Sequence, residues 1–305
     1  MKTLLILLMI WGADLSAQVN NYVFAYFQTN GKGGIKLLVS EDGLVWHKAN
    51  NGKPVIVPLE NKVTRDPCII RGDSLFHMVW TTSFNGESIG IGHATSSNLL
   101  NWSESEFIPL MQEFPDALNC WAPELFFDKE NNEFFVYWSS TIPGKFPDTD
   151  KSGDKGYNHR IYYTTTNDFK TFTATKLLYE PGFNVIDATI KKINNEYWMF
   201  VKNETRTPTA KYLFIAKSEM IKGPYIKSTE RITGRYWCEG PTVFVDNQSM
   251  TVYFDKYRLR KIGAIHSDDG DNWTEISGKV KIPRMVRHGT IMKLDSPIVF
   301  EDDDQ

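Results

Sequence analysis

The chain has 305 residues, 34 lysines and arginines against 37 aspartates and glutamates, and a net charge of −3. That near-neutral balance excludes nucleic-acid binding or a polybasic membrane surface as its organising feature. The enrichment is aromatic, with nine Trp, nineteen Phe and thirteen Tyr, residues that suit β-structure and whose faces stack on sugar rings.

The chain opens with Met1-Lys2, an apolar run from Leu4 to Trp11, and the small-residue stretch Leu15-Ser16-Ala17-Gln18. This reads as a secretory signal peptide over residues 1–17, too short to span a bilayer as a helix. Residues 18–305 are then expected as a single exported domain, periplasmic or secreted. No cysteine follows the apolar run as a lipid attachment point, and no later transmembrane run is visible.

Tyr22 to Phe27, Gly34 to Ser40 and Val45-Trp46-His47 read as strands, a group with no inner strand of its own. From Asp66 the pattern becomes regular. Cys68 to Ile70, Leu75 to Thr81, Ile89 to Thr95 and a segment ending at Trp102 form one unit. Glu124 to Phe127, Phe134 to Trp138, Arg160 to Thr165 and Asn167 to Phe172 form the next. A third runs through Thr189 to Lys192, Tyr197 to Val201, Tyr212 to Ala216 and a segment around Tyr225. The fourth runs through Thr242 to Val245, Thr251 to Phe254, Ile262 to His266 and a segment ending at Trp273. Four strands per unit, joined by Asn, Asp and Gly turns, define a propeller. A last inner strand after His288 lacks outer partners, and the orphan group at Tyr22 to His47 supplies them. The expected fold is an all-β, five-bladed propeller whose last blade is closed by strands from both termini, which removes exposed sheet edges.

Two other features follow from the same pass. Ser40-Glu41-Asp42-Gly43 before Trp46, Ser97-Asn98 before Trp102, and Ser267-Asp268-Asp269-Gly270 before Trp273 resemble the Asp boxes of sialidases. Side-chain-fixed turns with an anchoring Trp are sufficient to explain them. The irregular stretch Ile142 to His159, rich in Gly, Pro, Asp and Lys, is either a functional lid or mobile surface.

Each inner strand opens in a similar way: Arg65-Asp66-Pro67, Trp121-Ala122-Pro123-Glu124, Ile186-Asp187-Ala188, Cys238-Glu239-Gly240-Pro241 and Arg287-His288-Gly289. Inner strands line a propeller's axis, so Asp66, Asp187 and Glu239 are expected to converge. Like charges oppose one another's ionisation, which can hold one carboxyl protonated while another stays ionised. The ordinary reading of each alone is a turn or strand-cap carboxylate; their joint placement at equivalent repeat positions argues against coincidence, but shows convergence only and names no reaction. Cys68, Cys120 and Cys238 lie in or beside these openings without metal-ligand spacing and are read as buried small hydrophobes.

In this order the five openings resemble glycoside hydrolase family 43, over nearly the whole chain after the leader. The resemblance implies an inverting glycosidase in which Asp66 is the general base, Asp187 tunes and orients the acid, and Glu239 is the general acid. It implies Trp121 and Phe84 as aromatic sugar contacts. Arg287, Arg258 and Lys202 are candidates for sugar hydroxyls. His288 matches an axial histidine that in some members lies beside calcium through water, so the site requires no cofactor, with a structural Ca²⁺ in the channel as an added option. The partial blade before Asp66 departs from the usual family pattern, as does the lack of a C-terminal β-sandwich. The expected activity is release of a terminal sugar, α-L-arabinofuranose first, from a polysaccharide or oligosaccharide. The alternatives are a β-xylosidase or galactofuranosidase, an inverting phosphorylase, and a non-catalytic glycan-binding propeller.

Overall fold

β-Branched and aromatic runs punctuated by Asn, Asp and Gly turns leave little that favours a helix, and the protein is built from strands with a few short 3-10 turns. The computed structural model describes residues 20–298, apart from 73, 85–88 and 151. The expected signal peptide lies outside the described residues. No helix among the described residues is long and apolar enough to cross a membrane.

In chain order the strands are β1 Asn20–Phe27, β2 Ile35–Ser40, β3 His47–Lys48, β4 Arg65–Arg71, β5 Phe76–Thr81, β6 Gly90–Ser96 and β7 Glu106–Pro109. There follow β8 Trp121–Asp128, β9 Glu133–Ser140, β10 Arg160–Thr166, β11 Lys176–Tyr179, β12 Val185–Ile193, β13 Glu196–Asn203, β14 Tyr212–Ser218 and β15 Ile226–Lys227. The last are β16 Glu239–Asp246, β17 Ser249–Lys256, β18 Lys261–Ser267, β19 Thr274–Glu275 and β20 Thr290–Ile298. They form five four-stranded sheets: β4 to β7, β8 to β11, β12 to β15, β16 to β19, and β20-β1-β2-β3. The C-terminal strand β20 pairs antiparallel with β1, Thr290 facing Ala25 and Ile291 facing Phe24, so the five-bladed propeller is closed by both termini. Five apolar clusters form the core, each bringing together neighbouring blades. Val23, Met78 and Trp80 lie in one, Val79 and Trp138 in the next, and Tyr26, Trp46 and Tyr253 in the cluster that completes the ring.

The outer strands differ from the sequence reading. Trp102, Phe172 and Trp273 do not end outer strands; β7, β11 and β19 begin after them. The turns capture the intervening residues. Asp42 Oδ1 accepts the N–H groups of Leu44 and Val45, Asp168 Oδ1 those of Lys170 and Thr171, and Asp269 Oδ1 those of Asp271 and Asn272. The indoles of Trp46, Trp102 and Trp273 then donate back to their own turn carbonyls at 3.1, 2.7 and 3.1 Å. These boxes are structural turns.

The inner strands share one irregularity. Pairing with the second strand slips between Arg65 and Cys68, Trp121 and Glu124, Ile186 and Thr189, and Glu239 and Thr242, a β-bulge at the same place in four blades. The residue at the bulge is left-handed each time: Asp66 at φ 49°, Ala122 at 47°, Asp187 at 55° and Gly240 at 59°. Asp66 and Asp187 therefore occupy the same repeat position. Glu239 stands one residue earlier, which corrects the reading that all three carboxylates are equivalent.

Ser40 is fully buried in the closing blade; its hydroxyl accepts the Gly43 N–H at 2.9 Å and donates to Asp42 at 3.1 Å. Ser40→Ala leaves that buried N–H unpaired and should cost about 1–3 kcal/mol, read as a lower urea midpoint at unchanged slope. A midpoint shift equivalent to less than about 0.5 kcal/mol would show that this bond does not help to hold the closing blade.

Candidate functional site

The bulge turns side chains towards the axis, and three of the four bulge N–H groups are captured by the preceding blade. Ala122 N donates to Thr81 Oγ1 at 2.8 Å, Asp187 N to Ser139 Oγ at 3.1 Å, and Gly240 N to Asp187 Oδ2 at 3.1 Å. A β-carbon on Gly240 would stand 2.2 Å from the His288 ring, so this position must stay bare. The carboxylate of that blade comes from the residue before.

Asp66, Asp187, Glu239 and His288 all line one cavity of about 360 Å³, with Arg65, Phe84 and Trp121. His288 Nδ1 lies 3.5 Å from Asp66 Oδ1 and 3.9 Å from Asp187 Oδ2, at the junction of the two bulge carboxylates. Burial opposes a charge on this ring, but Asp187, Asp66 and Glu239 outweigh it and raise its pKa. Glu239 is gripped by two cations, Lys202 Nζ at 3.2 Å and Arg287 Nη2 at 3.2 Å. Arg287 Nε also pairs with the fully buried Asp255, whose other oxygen lacks a hydrogen-bond partner.

The electrostatics separate the carboxyls. Burial lifts Asp187 to about 6; His288 opposes the rise and Glu239 adds to it. Burial also acts to raise Glu239, but Lys202, His288 and Arg287 overcome it and the pKa is lowered. Asp255 is raised to about 6, by burial and then by Glu239, with Arg287 opposing. The proton therefore favours Asp187 and Asp255 over Glu239.

Of the sequence candidates, Asp66, Asp187, Glu239, His288, Trp121 and Phe84 meet in the cavity, and Arg287 reaches it through Glu239. Lys202 is also there, buried between Glu239 and Glu204 and not solvated at the surface. Arg258 is not part of the lining; its guanidinium lies 4.3 Å over Trp237. The stretch from Ile142 to His159 forms a wall, contributing Asp154, Lys155, Tyr157 and His159. Trp121 donates to Ser83 O at 2.9 Å and packs 4.7 Å from the Tyr157 ring and 5.4 Å from His159. Burial, with Lys202 and Lys211 nearby, lowers His159 to about 3, so it is a neutral part of that wall. Tyr157 and His159 were signalled only by the unusual length of their loop. Asp255, at the end of a second strand, gave no sequence signal. The three cysteines are buried free thiols, Cys68 and Cys120 in one core cluster and Cys238 in another, as small hydrophobes would be.

Calcium needs six or more oxygen ligands. Among the described residues no three His, Cys, Asp or Glu side chains are grouped to hold a metal, and His288 already faces two carboxylates.

A propeller with acidic side chains gathered on its axis beside sugar-sized aromatic walls belongs to the carbohydrate-active hydrolases. Residues 17–297 match the family model described as a probable glycosyl hydrolase domain, related to glycoside hydrolase family 43, and the chain belongs to that family. An α-L-arabinofuranosidase of Bifidobacterium longum subsp. longum is 26% identical over 237 residues, 67% of this chain and 22% of that protein. The chain thus spans about a fifth of the length of that curated relative. Among solved structures, the α-L-arabinofuranosidase of Lactobacillus brevis shares the fold at TM-score 0.53 and 16% identity, over 70% of this chain and 72% of the other. The exo-β-1,3-galactanase of Phanerochaete chrysosporium does so at TM-score 0.54 and 11% identity, over 75% and 52%.

The raised Asp187 pKa has a sign that can be measured. The folded value of about 6 exceeds the ordinary carboxylate value, so the native state holds this proton more tightly than the unfolded chain does. Its stabilising contribution is present at low pH and is lost as pH rises from about 4 to 6. Asp187→Asn lacks that loss, so its stability relative to wild type should improve by on the order of 2 kcal/mol between pH 4 and 7. Urea unfolding at both pH values checks this; a pH-independent difference would mean that Asp187 is not raised.

Proposed function

We propose that the protein is an exported, inverting glycoside hydrolase that removes a terminal sugar, α-L-arabinofuranose first among the candidates, from a polysaccharide or oligosaccharide. The observation that carries this reading is the meeting of Asp66, Asp187 and Glu239 in one cavity with Trp121 and Phe84. The names of its relatives support the choice of sugar. Asp66, beside His288, acts as the general base that takes a proton from water. Water attacks the anomeric carbon, the glycosidic bond breaks, and Glu239 protonates the departing oxygen. Asp187 holds the Gly240 N–H next to Glu239 and orients that acid. Trp121, with Tyr157 against it, and Phe84, under Arg65 at 4.5 Å, supply the aromatic faces for the sugar.

The grip of Lys202 and Arg287 on Glu239 has a kinetic consequence. Only the protonated fraction of Glu239 is a competent acid, so poor leaving groups lose rate on the alkaline side early. Lys202→Met removes a cation, raises the Glu239 pKa, and should move the alkaline limb of kcat/KM to higher pH. An unmoved limb would assign the catalytic proton to another group.

The activity itself is tested on aryl α-L-arabinofuranoside, β-D-xyloside, β-D-galactofuranoside and β-D-galactoside, with and without phosphate. One glycoside should turn over without phosphate, and Asp66→Asn should abolish this while sugar binding remains. Glu239→Gln should slow unactivated substrates by about 10²-fold or more, and activated aryl glycosides much less. Equal losses on both would remove Glu239 from the acid role, and turnover only with phosphate would replace hydrolysis by phosphorolysis.

A further inference from the structure

Trp237 stands two residues before Glu239 and is partly exposed. Contacts run outward from the site to it: Lys202 Nζ is 3.2 Å from Glu239 and 4.9 Å from the Tyr257 ring, and Tyr257 is 6.1 Å from Trp237. Arg258 and Arg206 lie 4.3 and 4.9 Å from the Trp237 ring. Trp237 also lines a second cavity of about 490 Å³, with Arg231, Arg235, Tyr236, Thr209 and Ala210 and no carboxylate.

The nearby acids are already engaged. Asp154 pairs with Lys211 and Arg206, Glu275 with Lys256 and the Tyr236 hydroxyl, and Glu230 with Lys227. Among the described residues Arg231, Arg235 and Arg258 make no ion pair, and all three are exposed. The Arg231 guanidinium lies 4.4 Å over the Tyr212 ring, a contact that uses its face and not its N–H donors.

We propose that this second cavity is a subsite for an anionic sugar residue, whose carboxylate or sulfate is held by Arg231 and Arg235 beside the Trp237 ring. A guanidinium fork matches the two oxygens of either group, and an indole offers the apolar surface that a sugar ring covers. Trp237 is tied to Glu239 through Tyr257 and Lys202, so the anion belongs to the leaving-group part of the substrate. That placement rests on the proposed role of Glu239; the anion site itself does not.

The test is calorimetric titration of the full chain carrying Asp66→Asn with three probes: tetragalacturonate, the same tetramer fully methyl-esterified, and a sulfated galactan tetrasaccharide. At least one anionic probe should bind tenfold or more tightly than the uncharged ester, with affinity falling as salt rises. Arg231→Gln with Arg235→Gln should remove that advantage while leaving thermal stability intact, since both side chains are exposed. Whichever anion wins names the group recognised. Equal binding of the methyl ester, no binding of either anion, or an undiminished advantage in the double variant overturns the proposal. Anion binding without turnover on any glycoside would sink the glycosidase reading and leave the subsite standing; turnover without it would do the reverse.

Discussion

The structure depends on one backbone constraint, the left-handed residue at the mouth of its inner strands. An L-residue with positive φ costs on the order of 1–2 kcal/mol, and the chain accepts it at Asp66, Ala122 and Asp187. At Ala122 and Asp187 the bulge offsets that cost by tying its N–H to the neighbouring blade, through Thr81 and Ser139, and Gly240 is tied in the same way through Asp187. The same local distortion thus links the blades and turns two carboxylates towards the axis. Where a third would collide with His288, the chain uses glycine and takes its carboxylate from one residue earlier. Symmetry of the fold and asymmetry of the site follow from the same bulge.

That asymmetry separates the proton affinities. Asp187 meets burial with partial compensation, whereas Glu239 lies between Lys202 and Arg287. Lys202 in turn is held by Glu204, which shares Lys211 with Asp154 from the wall between Ile142 and His159. A chain of alternating charges therefore connects the wall to Glu239. Buried charges of this kind are costly singly and tolerable only as a paired set, so the position of the wall and the charge on Glu239 are one problem with one solution.

Much of this was legible in the sequence. Alternating strands, turn residues and five similar openings gave the blade count and the split last blade, because period and pairing are local properties. The convergence of Asp66, Asp187 and Glu239 followed from the ring. The outer strands were misplaced because the boxes combine a strand-like Trp with a turn that binds its own backbone, and hydrogen bonding decides between them only in three dimensions. The one-residue offset of Glu239 was hidden because a bulge shifts register without changing residue type. Asp255 was beyond reach for another reason: its role comes from Arg287 on another element, and a single Asp carries no mark of burial. Lys202 was named as a candidate, but its burial between Glu204 and Glu239 was not foreseen.

Stability and specificity are held by different residues, and the propeller explains why. The apolar clusters lie between the blades, where Trp80, Trp138 and Tyr253 are almost completely enclosed. The carboxylates sit at the bulges of the inner strands, and the outer rim, with Tyr157 on the first cavity and Trp237 and exposed arginines on the second, takes no part in those clusters. A change on the rim alters what the cavity can hold while the inter-blade packing stays as it was. A change at a bulge is different, since Asp187 accepts the Gly240 N–H and so joins two blades as well as lining the cavity. Asp187 is therefore less free to vary than the outer residues, on structural grounds alone.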